Sequence, residues 1–119
     1  MSHLDASTPF IAQLRETAGP VVWIDTYVVP EGAMDQVVSA WHGDASFMKA
    51  QAGFVSAVLY RGIGSSKLLV AVSSWESAEA VKIVFASYGF RDKAKRYPDG
   101  VVVYPHIFQE GTSDDVDVA

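Results

Sequence analysis

Asp25 is the side chain whose surroundings most invite chemistry. It stands in the middle of VVWIDTYVV (residues 21–29), a run otherwise entirely β-branched or aromatic, and strand alternation puts it on the same face as Trp23 and Tyr27. A carboxylate held there has its charged form penalised by desolvation, so its pKa rises and it becomes a base for a phenol or an activated C–H. The competing reading is a structural Asp bonded to neighbouring backbone or to a cation such as Arg61. Two histidines are further candidate proton carriers. His42 follows Trp41 beside an apolar helical stripe, where it can face a pocket mouth or solvent. His106 alternates with Tyr104 and Phe108 on a later strand, facing either a cavity or a subunit seam.

Aromatic residues supply candidate substrate contacts at Trp23, Tyr27, Phe47, Tyr60, Phe85, Tyr88 and Phe90. Ordinary core packing explains such residues as well, but their excess around Gly89 suggests a slot for a planar ligand. Arg91, next to that glycine, could bind a substrate carboxylate or a flavin phosphate, although with Lys93, Lys95 and Arg96 it also reads as a solvated face. Other chemistries lack their residues. There is no cysteine, and the three histidines form neither HExxH nor His-x-His, so no dedicated metal site is expected. Arg61-Gly62-Ile63-Gly64 joins two strands and does not open a helix, so it is no phosphate cradle.

The elements that must hold these residues follow from periodicity. Pro9–Thr17 has helical spacing and forms a short leading helix that ends at Gly19-Pro20. Val21–Val29 is the first strand. Ala33–Gln51 is a helix whose apolar stripe runs through Met34, Val37, Val38, Trp41, Ala45 and Met48, with Asp35, Gln36, Asp44 and Lys49 on the other face. Phe54–Arg61 and Lys67–Trp75 form a hairpin around the Gly62–Ser66 turn. Ser77 caps a helix that buries Val81, Val84, Phe85 and Tyr88 until Gly89 interrupts it, and Glu79 favours its first turn. Phe90–Tyr97 is a second short helix, and Val101–Gln109 is the last strand, with Pro105 marking an edge or a bulge.

The order β-α-β-β-α-β is the α+β, ferredoxin-like signature of a four-stranded antiparallel sheet with helices on one face. The chain divides into an N-terminal extension (1–18), one domain (19–109) and an acidic, flexible tail (110–119). With 119 residues, half of them hydrophobic, the domain can bury a core without staples. Four of the 14 acids lie in the tail, which leaves ten acids against nine basic residues in the body. No polybasic stripe favours nucleic acid, and no leader or long apolar run favours export or a membrane, so a cytoplasmic protein is expected. The strands are apolar on both faces: Val22, Ile24 and Val28 oppose Trp23 and Tyr27, and Leu68, Val70 and Val72 oppose Leu69 and Ala71. The face without helices needs a cover, and a second copy of the chain supplies it as a two-fold homodimer. The ligand cavity then lies between each sheet and its own helices.

From about Gly19 to Gln109 the chain resembles the antibiotic biosynthesis monooxygenase superfamily, dimeric α/β barrels built from ferredoxin-like subunits. The carrying segments are VPEGAMDQVVSAW, FMKAQAGFVSAVLYRGIG, the VSSWES strand end and YPHIFQ. In detail FMKAQAGFVSAVLYRGIG and PHIFQ look like the branch of angucycline-type polyketide ring-opening oxygenases. The resemblance implies O2 chemistry on polycyclic phenols, hydroquinones or anthrones without a metal or tightly bound cofactor. For the ring-opening branch it implies reduced flavin (FADH2 or FMNH2) as co-substrate. The superfamily also contains heme-degrading enzymes. The resemblance further makes Trp75, within Trp-Glu-Ser, a cavity wall for a planar substrate, where a plain core anchor is the alternative. One departure counts against the usual mechanism. Family oxygenases carry an asparagine four residues before that tryptophan; here the position is Ala71, and the sequence contains no asparagine.

Three functions follow as expectations. The first is an oxygenase of polycyclic aromatic polyketides, with Asp25 or a histidine moving the proton. The second is a non-redox cyclase, dehydratase or isomerase on the same fold, and the third is a non-catalytic small-molecule binding protein.

Overall fold

The computed structural model describes residues 2–87, 90 and 95–111. The elements are α1 (Phe10–Gln13), β1 (Val21–Val28), α2 (Met34–Lys49), β2 (Phe54–Arg61), β3 (Leu68–Trp75), α3 (Ala78–Ala86) and β4 (Val102–Phe108). The strands form one sheet in the order β2-β3-β1-β4, with every neighbouring pair antiparallel. This is the expected α+β, ferredoxin-like arrangement. No described helix is long and apolar enough to cross a membrane.

Two local devices fix the junction between hairpin and helix. Gly53 has φ +85° and its missing side chain makes room for Ala80, whose Cβ would lie 2.6 Å from a Cβ at position 53. Ser77 accepts a hydrogen bond from the backbone N–H of Ala80 at 3.1 Å, capping α3 two residues after β3 ends. α3 stops at Ala86, where Ser87 turns extended (ψ 146°), so the helix closes before Gly89 is reached. The expected helix over 90–97 falls largely outside the described residues, as does most of the acidic tail.

The leading helix is shorter than its spacing predicts. Beyond Gln13 the chain tightens into three-residue turns, Arg15 N–H to Ala12 and Glu16 N–H to Gln13. The Gln13 side chain bonds both backbone groups of Ile107, at 2.8 Å each, and so closes part of the open edge of β4.

Register sorts the side chains into two faces. Trp23, Asp25 and Tyr27 of β1 stand beside Ser73, Ala71 and Leu69 of β3 and beside Ile107, Pro105 and Val103 of β4. This face, beneath the helices, contains both clusters of buried residues. One gathers Phe10, Trp23, Trp75, Val81 and Val84, and the other Tyr27, Val37, Trp41, Leu69 and Ala71. The other face presents Ile24, Val58, Val72 and His106 across its middle, with Tyr60, Leu68 and Phe108 well exposed.

Candidate active site

The site is built on the middle of β1. Strand alternation carries Trp23, Asp25 and Tyr27 to one face, and the indole N–H of Trp23 donates to Asp25 Oδ1 at 2.8 Å. The Tyr27 hydroxyl sits 3.5 Å from Asp25 Oδ2, at the outer limit of a hydrogen bond. Burial pushes the Asp25 carboxyl up to about 7, and the Asp44 charge adds to that effect. The two hydrogen bonds oppose it without offsetting it. Arg61, at the exposed end of β2, makes no described bond to Asp25, so the purely structural ion pair is not what this residue forms.

Asp25 opens onto a cavity of about 420 Å³ bounded by Trp23, Tyr27, Phe85, Phe90, Tyr97 and Val103, with Pro98, Asp99 and Gly100 at its rim. A void of about 10 Å³ abuts the same residues and is also lined by Trp41, Met48, Ala71 and Ser73. Ala71 is the direct cross-strand neighbour of Asp25. The small side chain at 71 therefore leaves open space beside the carboxyl.

Two site residues were not legible as such in the sequence. Asp44, expected on the solvated face of α2, is only 4 % exposed and lines the cavity, and its Oδ2 accepts from the Tyr97 hydroxyl at 2.6 Å. Its spacing held the signal, because Val37, Trp41, Asp44 and Met48 follow one another at steps of four, three and four along the buried stripe. Tyr97, expected only to end a helix, stacks on Tyr27 with ring centres 5.7 Å apart and planes 12° from parallel. Desolvation raises both tyrosine hydroxyls above their ordinary range, so they stay neutral donors.

Of the other candidates, Phe85 and Phe90 line the cavity. Trp75 does not. It is 1 % exposed, its indole N–H donates to Ser73 Oγ at 2.8 Å, and Trp23 is the indole at the cavity. Phe47 packs against the Trp75 cluster and is likewise absent from the cavity lining. Tyr60, more than half exposed, lies opposite Val70 on the helix-free face. His42 is exposed on α2 with its ring against Trp41, away from the cavity. His106 lies opposite Ile24, on the face that does not hold Asp25, with Nε2 3.2 Å from Gln13 Nε2. Neither histidine is among the residues that line the cavity at Asp25. Tyr88 and Arg91 lie outside the described residues. Among those described, no group of three metal-ligating side chains comes together.

No protein-family model and no curated protein matches the chain. Solved structures do. SnoaB, a cofactor-independent oxygenase from Streptomyces nogalater, superposes with a TM-score of 0.74 at 23 % identity, over 81 % of this chain and 97 % of that one. A candidate monooxygenase from Shewanella loihica gives 0.68 at 22 % identity, over 82 % and 99 % of the two chains. A candidate antibiotic biosynthesis monooxygenase from Bordetella bronchiseptica gives 0.70 at 16 % identity, over 80 % and 100 %. The chain shares the fold of these proteins. At these identities the likeness fixes the architecture, and the chemistry has to be argued from the site.

Proposed function

We propose that the protein is a metal-free oxygenase of flat, electron-rich aromatic compounds of the polycyclic polyketide type, with Asp25 as its general base. The observation that carries this reading is one carboxyl, poised near pH 7, opening onto a 420 Å³ cavity walled by five aromatic rings. The volume suits a fused-ring ligand, and ring faces such as those of Trp23 and Phe90 suit its stacking.

For an anthrone the atoms balance without an external reductant. Asp25 takes a proton from the ring CH2, and the carbanion passes one electron to O2. The resulting radical and superoxide combine to a peroxide anion, which Asp25 reprotonates. Loss of water then leaves the carbonyl, so that CH2 and O2 become C=O and H2O. The void beside Ala71 has roughly the room of one water-sized molecule, which suits O2 near the reacting carbon. A ring-opening insertion would need two further electrons, for which reduced flavin would serve as a diffusible co-substrate. The apolar helix-free face supports a homodimer, and the whole reading is that of a cytoplasmic tailoring enzyme.

One observation favours a second reading. Ala71 places no amide opposite Asp25 to orient O2 or a substrate oxygen, which suits a cyclase, dehydratase or isomerase that only moves protons. Oxygen-electrode assays with an anthrone or a hydroquinone, with and without reduced flavin, separate the two. The oxygenase consumes one O2 per anthrone oxidised. Product formed with no O2 uptake establishes the proton-transfer enzyme, and stoichiometric binding without product leaves a binding protein.

A further inference from the structure

The cavity holds a second carboxylate, Asp44, that the base chemistry above does not use. It comes from α2, whereas Asp25 comes from β1, and two tyrosines stand between them. Tyr97 donates to Asp44 Oδ2 at 2.6 Å, its ring lies nearly parallel to that of Tyr27, and the two hydroxyls interact. The Tyr27 hydroxyl in turn stands 3.5 Å from Asp25 Oδ2. The line Asp44–Tyr97–Tyr27–Asp25 thus crosses the cavity wall from helix to sheet.

We propose that Asp44 and Tyr97 are positioning residues for Asp25: the Tyr97 hydroxyl anchored on Asp44 clamps its ring against Tyr27 and so sets where the Tyr27 hydroxyl stands relative to Asp25 Oδ2. The inference rests on the reading of Asp25 as the base, and it makes the two carboxyl oxygens unequal. Oδ1 is engaged by Trp23 at 2.8 Å, a full charge-assisted hydrogen bond. Among the described residues Oδ2 meets the long Tyr27 contact alone, and it is the oxygen offered to a substrate proton. The Tyr27 hydroxyl has two acceptors, Asp25 and Tyr97. Facing the ionised carboxylate it donates to Oδ2, and once Oδ2 carries the proton it donates to Tyr97 and accepts from Asp25. Neither tyrosine has to ionise for this exchange.

Titratable or charged groups facing Asp25 among the described residues are Tyr27 on its own strand, Asp44 from α2, and Tyr97 with Asp99 from the rim segment. β3 presents Ala71 and Ser73, and β4 presents Pro105. Removing the clamp therefore has a defined electrostatic sign. With Tyr97→Phe the ring remains, but Tyr27 has only Asp25 left as acceptor, which favours the ionised carboxylate. With Asp44→Asn the acceptor for Tyr97 remains while one negative charge is removed.

The test is a carbon-13 carboxyl NMR titration of Asp25 in the unliganded protein, alongside turnover of an anthrone. The wild-type midpoint is expected near 7. It falls by about half a unit to one unit in both Tyr97→Phe and Asp44→Asn. In turnover, Tyr97→Phe and Asp44→Ala each lower kcat about 10-fold with KM within about twofold, and Asp44→Asn recovers most of that loss. An Asp25 midpoint and a kcat both unmoved in folded Tyr97→Phe overturn the proposal. The titration needs no substrate, so it judges the clamp even if Asp25→Asn retains full activity and the base assignment itself fails.

Discussion

The two faces of this sheet use similar strand residues to opposite ends. Beneath the helices, Trp23, Asp25 and Tyr27 bring hydrogen-bonding groups into a largely apolar space, and Asp44 adds to them from α2. On the bare face the same strands contribute Ile24 and Val72, half-buried among their neighbours, and Val58, which is exposed in a single chain. A polar group kept in an apolar setting costs stability, and apolar surface left in water forgoes it. On the proposed reading the first marks the reacting face and the second the face that another copy would cover. The comparison also explains why His106 and Asp25, near neighbours on paired strands, stand in different surroundings: one residue of register separates the faces.

The sharpest way to break the comparison is to put a charge on the bare face. Val58→Asp is expected to weaken self-association about 100-fold or more, because a carboxylate buried unpaired in an interface costs about 3–5 kcal/mol. Sedimentation equilibrium should show the shift to monomer with an unchanged circular dichroism spectrum. If wild type and variant are both monomeric, the bare face is not a homodimer surface.

The next largest effect lies on the covered face. Because the folded-state pKa of Asp25 lies above its ordinary value of 3.8, the folded chain holds its proton more tightly than the unfolded chain. The stability this gives is complete below about pH 4 and is lost as pH rises through about 7. Asp25→Asn keeps an acceptor for Trp23 and removes that loss, so at pH 8 it should be more stable than wild type by on the order of 2–4 kcal/mol. Denaturant titrations at pH 4 and pH 8 measure the difference. An equal response of both proteins to pH would mean that Asp25 is not desolvated.

Smaller effects sharpen the boundary of the site. Trp23→Phe removes the donor that lowers the Asp25 pKa, so the midpoint should move upward and turnover at pH 7 fall about 10-fold. His42→Ala should stay within about twofold of wild type at every pH, since its exposed ring does not reach the cavity. A loss of activity there would return the proton-carrier role to the helix.

Much of this was legible in the chain. Strand alternation, the 3.6-residue stripe of α2, the Gly62–Ser66 turn and the Ser77 cap are local signals, and they predicted the element order and the sheet. Asp25 was legible for the same reason, as a carboxylate interrupting an apolar strand. Asp44 was not, because its polar type outweighed its place in the stripe when the helix faces were divided. Tyr97 was hidden by Pro98-Asp99-Gly100, which marks a turn but says nothing of what the preceding ring touches. The face occupied by His106 depends on the pairing of Asp25 with Pro105, a register that alternation within one strand does not specify. Trp75 stands at the end of β3 against α3, where burial behind Trp23 is decided by packing.

The central claim is that Asp25 acts as a base from the covered face. The pH dependence of anthrone turnover by the wild-type protein tests it most directly. The rate should rise with pH along a single limb with a midpoint near 7, as the carboxyl ionises. A rate that stays flat from pH 5 to 9, or falls across that range, would contradict it.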